Sequence, residues 1–407
     1  MGNQTDDCNR DQFEELSILV TNCQAYLPFL TFDRLFKVSS SSEYQAALDP
    51  LFLSQCSLEN SSRPYALYNA QMKRLHNIST QLHSAAIIES RFLPTTQRHN
   101  ILPADHLALV AFENLNFLLD CIPSTRTALE IMWWNFLDKD PKRSGKMLTG
   151  IINEGRNRPE QYWKKLINIS FYDFSSLGVG RWLNDEIINY FVNKWCIQSK
   201  KVLGFSTFFA SRCLFEENTS CLEAKKWFTE DDEKRVLSWV RARQRFLKLE
   251  VWDAVFIPIH ENESHWYSAY IDFRLKRIEI YDSLQQTYLD NYTKPAILRK
   301  NTRITLVLMW LTEILSQAKG EYLDLKNNQH SGWLFSPHSR VPFQPNSYDC
   351  GVHTLWHLKH LLEQRQVMLG RECQVPGLSF TDDMVGKRVC LALELLQDCE
   401  PSEVCSE

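Results

Sequence analysis

Three short runs of β-branched and aromatic residues lie close together in the second half of the chain. They are VFIPI (255–259), WYSAYIDF (266–273) and RIEIYDS (277–283), and the polar turns ENES and RLKR separate them. Apolar runs of this length that are bounded by turn residues predict strands. RITLVLMWLTEILSQA (303–318) and VHTLWHLKHLLEQRQVML (352–369) instead have helical spacing. Strands and helices that occur together in this way predict a domain of mixed α and β structure.

The first part of the chain has a different pattern. Residues 72–89, 106–122 and 127–137 have the apolar spacing of helices, and the polar stretches 138–146 and 153–161 read as loops. A chain of 407 residues corresponds to two or three domains of about 150 residues, or to one large domain with extensions. We therefore predict a mostly helical N-terminal region of unknown role over 1–160 and a second domain over 161–407.

Composition excludes several classes of protein. Hydrophobic residues make up 44% and charged residues 23%, which excludes collagen-like, fully disordered and small disulfide-scaffold chains. The net charge of −4 gives no strong field for nucleic acid or an anionic membrane. The longest apolar stretch, 305–315, is too short to span a bilayer and contains Glu313. The polar, acidic N-terminus predicts no signal peptide, so we expect an intracellular protein with its twelve cysteines reduced.

Cys350 is the first candidate for chemistry. The turn formers of QPNSYD precede it and a helix pattern follows it, so Asp349 is expected to cap the helix and Cys350 to lie near its first position. A helix N-terminus carries unpaired N–H groups and about half a positive charge, which favour the reactive thiolate. The same features also fit a buried structural cysteine.

A nucleophilic cysteine needs a base and a group that orients the base. His265 opens the run HWYSAYIDF, and Asp282 ends IEIYDS. A hairpin through RLKR would bring both toward one edge of the sheet. With a two-residue loop at 275–276, however, Asp282 pairs with Ala269, about 13 Å from His265, and a bulge is needed to close the gap. The side-chain amide of Gln344, six residues before Cys350, is a candidate oxyanion donor.

These segments together resemble the Ulp/SENP family of ubiquitin-like-protein-specific cysteine proteases over residues 165–396. The resemblance runs in order through the five segments ISFYDFSSLGVGRWLNDEIINYF, VFIPIHENESHW, YIDFRLKRIEIYDSL, PFQPNSYDCGVHTLWHL and SFTDDMVGKRVCLALELL. WLND or DCG alone would be a weak signal, but the ordered set is specific. Ser347 and Thr354 depart from the glycine and cysteine that the family often has there.

The resemblance implies an α+β, papain-like catalytic domain and a role for each matching residue. Cys350 would be the nucleophile, His265 the general base and acid, Asp282 its orienting partner and Gln344 the oxyanion donor. Trp182 and Trp266 would wall a narrow tunnel for a Gly-Gly tail, and Asp185 would help to position that tail. No cofactor or metal is implied.

The implied function is hydrolysis of peptide and isopeptide bonds after the Gly-Gly C-terminus of a ubiquitin-like modifier. SUMO and its conjugates are the expected partners, because most of the family acts on SUMO, and the expected location is the nucleus or cytoplasm. The alternatives are a Rub/Nedd-type modifier or ubiquitin, an acyltransferase on a related fold, and a non-catalytic binding module. No nucleic-acid partner, membrane span or oligomeric state is predicted.

Two further patterns carry alternative interpretations. His353, His357 and His360 share one helix face, which resembles a zinc site but lacks the Glu of HExxH, so we expect structural histidines. The basic stretch 234–248 is predicted to be a solvated helix face, or else a docking surface for an acidic patch on a modifier.

Overall fold

The computed structural model describes residues 134–400 except 136, 167, 217–222, 296–297, 329, 370–376 and 382. The helices predicted at 72–89 and 106–122, and most of 127–137, lie outside these residues. Contacts divide the chain into two compact units, residues 1–135 and 136–407.

Within the described residues, five strands form one mixed sheet in the order β1-β2-β3-β4-β5. The strands are β1 (Val202–Gly204), β2 (Ala254–Glu261), β3 (His265–Asp272), β4 (Arg277–Tyr281) and β5 (Leu334–Ser339). β2, β3 and β4 are antiparallel neighbours, while β1 and β5 pair in parallel with β2 and β4. Every residue of β3 is buried, as expected for the central strand of a covered sheet. All three strands predicted from the apolar runs are therefore confirmed.

The register of the β3–β4 hairpin differs from the predicted one. Asp272 pairs with Arg277 and Ser268 pairs with Tyr281, so the connecting turn has four residues rather than two. Asp272 explains the longer turn, because its carboxylate accepts hydrogen bonds from the backbone N–H groups of Arg274 and Leu275. The prediction of a two-residue loop at 275–276 is therefore wrong. The shift places Asp282 closer to His265, and the β3–β4 pairing needs no bulge.

The described residues include ten α-helices with defined bounds. Their bounds are α1 (Pro141–Arg156), α2 (Glu160–Trp163), α3 (Phe171–Ser175), α4 (Asp185–Ser199), α5 (Thr207–Cys213), α6 (Glu230–Leu247), α7 (Gln285–Tyr292), α8 (Thr302–Ala318), α9 (Cys350–Gln364) and α10 (Val385–Cys399). α9 packs against β3 and α4, and α8 packs against β4 and β5. This mixed sheet with packed helices confirms the α+β class.

Local signals account for several helix boundaries. The side chain of Asn184 accepts a hydrogen bond from the backbone N–H of Ile187 at 3.1 Å, which caps α4. The helix predicted over 303–318 is confirmed as α8. The helix predicted over 352–369 ends earlier, because Arg365 takes a left-handed conformation with φ of 58°. There its guanidinium binds the carboxylates of Asp253 and Asp272.

α1 packs against α10 inside the second unit. Phe174 and Leu396 lie close against Gly155 near the end of α1, and the ammonium of Lys387 binds the carboxylate of Asp138 at 2.9 Å. The contacts thus place residues 141–156 with the second unit. A separate function for residues 1–160 stays a prediction. None of the helices in the described part of the chain has the length and apolarity needed to cross a bilayer.

Candidate active site

Cys350 is the first residue of α9, as the sequence predicts, and its side chain is buried. The first N–H groups of a helix have no carbonyl partner within the helix, so they point toward the space in front of Cys350. The close fit continues at the next residue: a Cβ atom at position 351 would lie 2.9 Å from the Cβ of Leu183, which explains the glycine. The start of α9 is thereby packed directly against the segment that carries Trp182.

His265 and Asp282 meet at the edge of the sheet. The Nε2 atom of His265 lies 2.8 Å from Oδ1 of Asp282, and both side chains are buried. The same carboxylate oxygen accepts a hydrogen bond from the backbone N–H of Leu284 at 2.9 Å, which fixes its orientation. Since Nε2 faces the carboxylate, the other ring nitrogen of His265 is left for the hydrogen bond to Cys350. The structure therefore brings His265, Asp282 and Cys350 together.

The pKa of His265 reflects these contacts. Burial by itself lowers the pKa, but the hydrogen bonds to Asp282 and Cys350 and the charges of these two partners raise it to about 9. At neutral pH the imidazole is therefore protonated when its partners carry their negative charges. A cysteine paired with such an imidazolium reacts as the thiolate, which is the nucleophilic form.

Gln344 lies in the segment that leads to α9. Its side-chain oxygen accepts a hydrogen bond from the hydroxyl of Ser283 at 2.6 Å, and its backbone N–H donates to the carbonyl of Ser283 at 2.9 Å. Its amide nitrogen donates one hydrogen to the carbonyl of Asn346 at 2.6 Å. An amide nitrogen carries two hydrogens, and the second is the one that the predicted oxyanion role uses. Because Ser283 directly follows Asp282, the same short segment holds both the amide of Gln344 and the carboxylate that binds His265.

Trp182 and Trp266 are both fixed by hydrogen bonds from their ring nitrogens to the backbone near the start of α9 and of α4. The ring nitrogen of Trp266 donates to the carbonyl of Leu183 at 2.9 Å, and the ring is 1% exposed. The ring of Trp182 is 50% exposed, and its nitrogen donates to the carbonyl of Ser347 at 2.8 Å. Because Ser347 contributes only its backbone here, its departure from glycine leaves this contact unchanged. One tryptophan is thus part of the core, and the other forms a surface beside the residues before Cys350.

Asp185 is half-buried at the start of α4, and its charge acts on His260. Burial lowers the pKa of His260, while Asp185 opposes that effect. The ring of His260 stacks on Trp266 with centroids 4.0 Å apart and an interplanar angle of 4°. The sequence pattern does not predict a role for His260. The only local signal was its place in the segment HENESHW, one strand away from Trp266.

The three histidines of α9 are buried, and their rings surround Phe380 at centroid distances of 5.0–5.7 Å. Burial lowers the pKa of His353 to about 4 and that of His357 well below its usual value. Among the described residues, no three His, Cys, Asp or Glu side chains lie together so that they could hold a metal ion.

The basic stretch 234–248 lies on α6 and its C-cap. Most of its basic side chains are exposed, but Arg243 is buried and donates to the carbonyl of Gly204 at 2.8 Å. The exposed-face prediction therefore fails at Arg243, because this side chain closes the end of β1. The docking role stays a prediction.

The predicted cap at Asp349 is wrong. Asp349 precedes α9, but its side chain makes no capping hydrogen bond. It binds the buried guanidinium of Arg388 at 2.8 Å and accepts a hydrogen bond from the amide of Asn346 at 2.8 Å. Arg388 lies in the final helix, and nothing local to Asp349 in the sequence indicates this partner.

Comparison with known proteins points to one family. A model of the Ulp1 protease family, C-terminal catalytic domain, matches residues 181–370. A sentrin-specific protease of Caenorhabditis elegans is 30% identical over 207 residues, which are 49% of this chain and 24% of the relative. Ubiquitin-like-specific protease 1 of Saccharomyces cerevisiae is 28% identical over 187 residues, covering 46% of this chain and 24% of the relative. The chain thus spans about a quarter of the length of these relatives.

A solved structure of the SUMO protease Ulp1, with its catalytic cysteine oxidised to a sulfonic acid, is also similar to this protein. The match covers 63% of the present chain and 95% of the Ulp1 chain in that structure. Its sequence identity is 20% and its TM-score 0.44. The matched family segment contains Trp182, Asp185 and Trp266 as well as the His265, Asp282, Gln344 and Cys350 set. Residues 181–370 therefore match the catalytic domain of the Ulp1 protease family, in agreement with the resemblance of the sequence to the Ulp/SENP family of ubiquitin-like-protein-specific cysteine proteases.

Proposed function

We propose that the chain is a thiol protease that hydrolyses peptide and isopeptide bonds after the Gly-Gly C-terminus of a ubiquitin-like modifier. The observation that carries the proposal is the buried contact of His265 with Asp282 at 2.8 Å, beside a cysteine at the start of a helix. The names of the relatives, sentrin-specific and ubiquitin-like-specific protease, support a modifier protein as the substrate.

The geometry supports a two-step reaction. The Cys350 thiolate attacks the carbonyl carbon of the terminal glycine, and the backbone N–H of Cys350 and the amide of Gln344 stabilise the oxyanion. His265, protonated because its pKa is about 9, gives its proton to the leaving amine. It then takes a proton from water, which attacks the thioester and releases the modifier with a free carboxylate. Asp282 keeps the imidazole oriented through both steps.

Trp182, Trp266 and Asp185 are proposed to select the tail. The two flat indoles would form a slot too narrow for a Cβ atom, so that only glycine residues reach Cys350. Such a slot has no use for an acyl donor, which disfavours the acyltransferase alternative. We propose SUMO as the modifier, with action in the nucleus or cytoplasm, and retain Rub/Nedd-type modifiers and ubiquitin as alternatives.

Modifier probes test the proposal directly. The full chain is incubated with SUMO, Nedd-type and ubiquitin proteins that end in a vinyl sulfone, and covalent labelling is followed by mass. We expect the SUMO probe to label Cys350, and we expect Cys350→Ala to form no adduct and to lose cleavage by at least about a thousandfold. Labelling by another probe alone would replace SUMO with that modifier. Labelling of Cys350 by none of them would overturn the proposed function.

A further inference from the structure

Arg388 joins the two backbone segments that lead into the active site. Its guanidinium is fully buried, and its N–H groups bind a carboxylate and a set of backbone carbonyls. The carbonyl partners are those of Ser176 at 3.4 Å, Leu177 at 3.2 Å, Gly178 at 3.1 Å, Arg181 at 2.8 Å and Tyr348 at 3.0 Å. The carboxylate is that of Asp349, at 2.9 Å from Nε.

The positions of these partners matter for the chemistry. Arg181 immediately precedes Trp182, and Asp349 immediately precedes Cys350. The side chain of Arg388 thus binds both Arg181, next to Trp182, and Asp349, next to Cys350. The planar guanidinium presents five donors in a fixed fork, so it sets the spacing of both segments in a way that a lysine ammonium does not.

The network also reaches the predicted oxyanion donor. The second carboxylate oxygen of Asp349 accepts a hydrogen bond from the side-chain amide of Asn346 at 2.8 Å. The carbonyl of Asn346 in turn accepts from the amide nitrogen of Gln344 at 2.6 Å. A displacement of Asp349 would therefore be transmitted to Gln344 as well as to Cys350.

The charge of Arg388 has a second role, because a buried carboxylate next to Cys350 would disfavour a thiolate there. Arg388 neutralises that carboxylate. Other charged or titratable groups lie near this helix start: Tyr348 before Asp349, His265 on β3, Asp282 after β4, Asp185 on α4, His353 within α9 and Asp383 before α10. These groups are common to every variant below, so differences among the variants report on the Arg388–Asp349 pair.

We propose that Arg388 is a positioning residue of the active site: it holds the segments that carry Trp182 and Cys350 at their working distance and neutralises Asp349 beside the nucleophile. The part that concerns tail binding rests on the proposed function. The part that concerns Cys350 does not, because it is measured on the free protein.

The first test is alkylation of Cys350 by iodoacetamide as a function of pH, followed by the mass of the peptide that contains it. In Asp349→Asn the guanidinium loses its counter-charge, so the pH of half-maximal alkylation should fall by about one unit. In Arg388→Met the carboxylate loses its partner, so this pH should rise by about one unit. Shifts of opposite sign are not expected if the pair only stabilises the fold.

The second test separates position from charge. Arg388→Lys keeps the positive charge but loses the fork, so the alkylation profile should stay near that of the unchanged protein. KM for the modifier substrate should rise about tenfold or more, because the Trp182 segment is no longer held. If no modifier is cleaved by the unchanged protein, the proposed function fails while the alkylation test still decides the charge role.

Lys387→Met is the matched control. Lys387 is the neighbouring residue on α10, is also fully buried, and pairs with Asp138 at 2.9 Å, outside the segments that carry Trp182 and Cys350. It should lower the melting temperature without moving the alkylation profile. Coincident alkylation profiles for folded Asp349→Asn and the unchanged protein would overturn the charge role, and an unchanged KM in Arg388→Lys would overturn the positioning role. If Arg388→Met does not fold, Asp349→Asn and Arg388→Lys still test the two parts of the inference.

Discussion

Asp282→Asn tests how the active site holds its proton. The substitution preserves the shape of the side chain and its capacity to accept the backbone N–H of Leu284, but it removes the charge that helps to raise the pKa of His265. With the pKa at about 9, His265 is about 97% protonated at pH 7.5. With the ordinary value of about 6.5, only about 9% is protonated, and burial would lower that fraction further. The imidazolium that protonates the leaving amine should become about tenfold scarcer.

The assay is kcat/KM for a modifier substrate over the range from about pH 5.5 to about pH 10. In the unchanged protein the alkaline limb should fall as the pH rises through about 9. In Asp282→Asn we expect that limb to move to lower pH by one to two units, about as far as the loss of an adjacent opposite charge allows. Activity at pH 7.5 should therefore fall about tenfold or more, with partial recovery on the acidic side.

Asp290→Asn is the control for this experiment, because Asp290 is an exposed carboxylate on the neighbouring helix α7. It should leave the pH profile unchanged. If the alkaline limb of folded Asp282→Asn coincides with that of the unchanged protein, Asp282 does not hold the proton on His265. The mechanism above would then be wrong at that step.

Two further predictions concern the tail and the buried histidines. Modifier substrates ending in Gly-Ala or Ala-Gly should be cleaved more slowly than Gly-Gly, since an added methyl group overpacks the slot by about 1–3 kcal/mol, a factor of about 5–150. Trp266→Ala should relax this discrimination and lower the rate, and equal rates on all three tails with the unchanged protein would refute the slot. His353 has a pKa of about 4 in the folded protein against about 6.5 when unfolded, so its stabilising effect is complete above pH 6.5 and is lost as the pH falls toward 4. That loss amounts to about 2 kcal/mol of unfolding free energy at pH 5. Between pH 7 and pH 5 the melting temperature of His353→Leu should therefore fall less than that of the unchanged protein. His330→Leu, at an exposed position, should show the same fall as the unchanged protein.

The sequence by itself determined those features that depend on neighbouring residues. Period and composition were enough for the strands β2, β3 and β4 and for the helix α8. The cap at Asn184 was likewise local, since a short polar side chain satisfies a backbone N–H three residues away. Cys350 at a helix start followed from the turn formers before it and the helical spacing after it. The resemblance to a protease family depended on the order of such local segments, and it selected His265 and Asp282 together.

Only the tertiary structure decided the features that depend on residues far apart in the chain. The hairpin register required the hydrogen bonds of Asp272 to its own turn, and the early end of α9 required the approach of Arg365 to two distant carboxylates. Asp349 has the residue type of a helix cap, yet its charge is used by Arg388, 39 residues later, because a buried carboxylate is stabilised by a buried cation. The sequence pattern predicts which side chains are buried. Which groups they bind depends on how segments distant in the chain pack against one another.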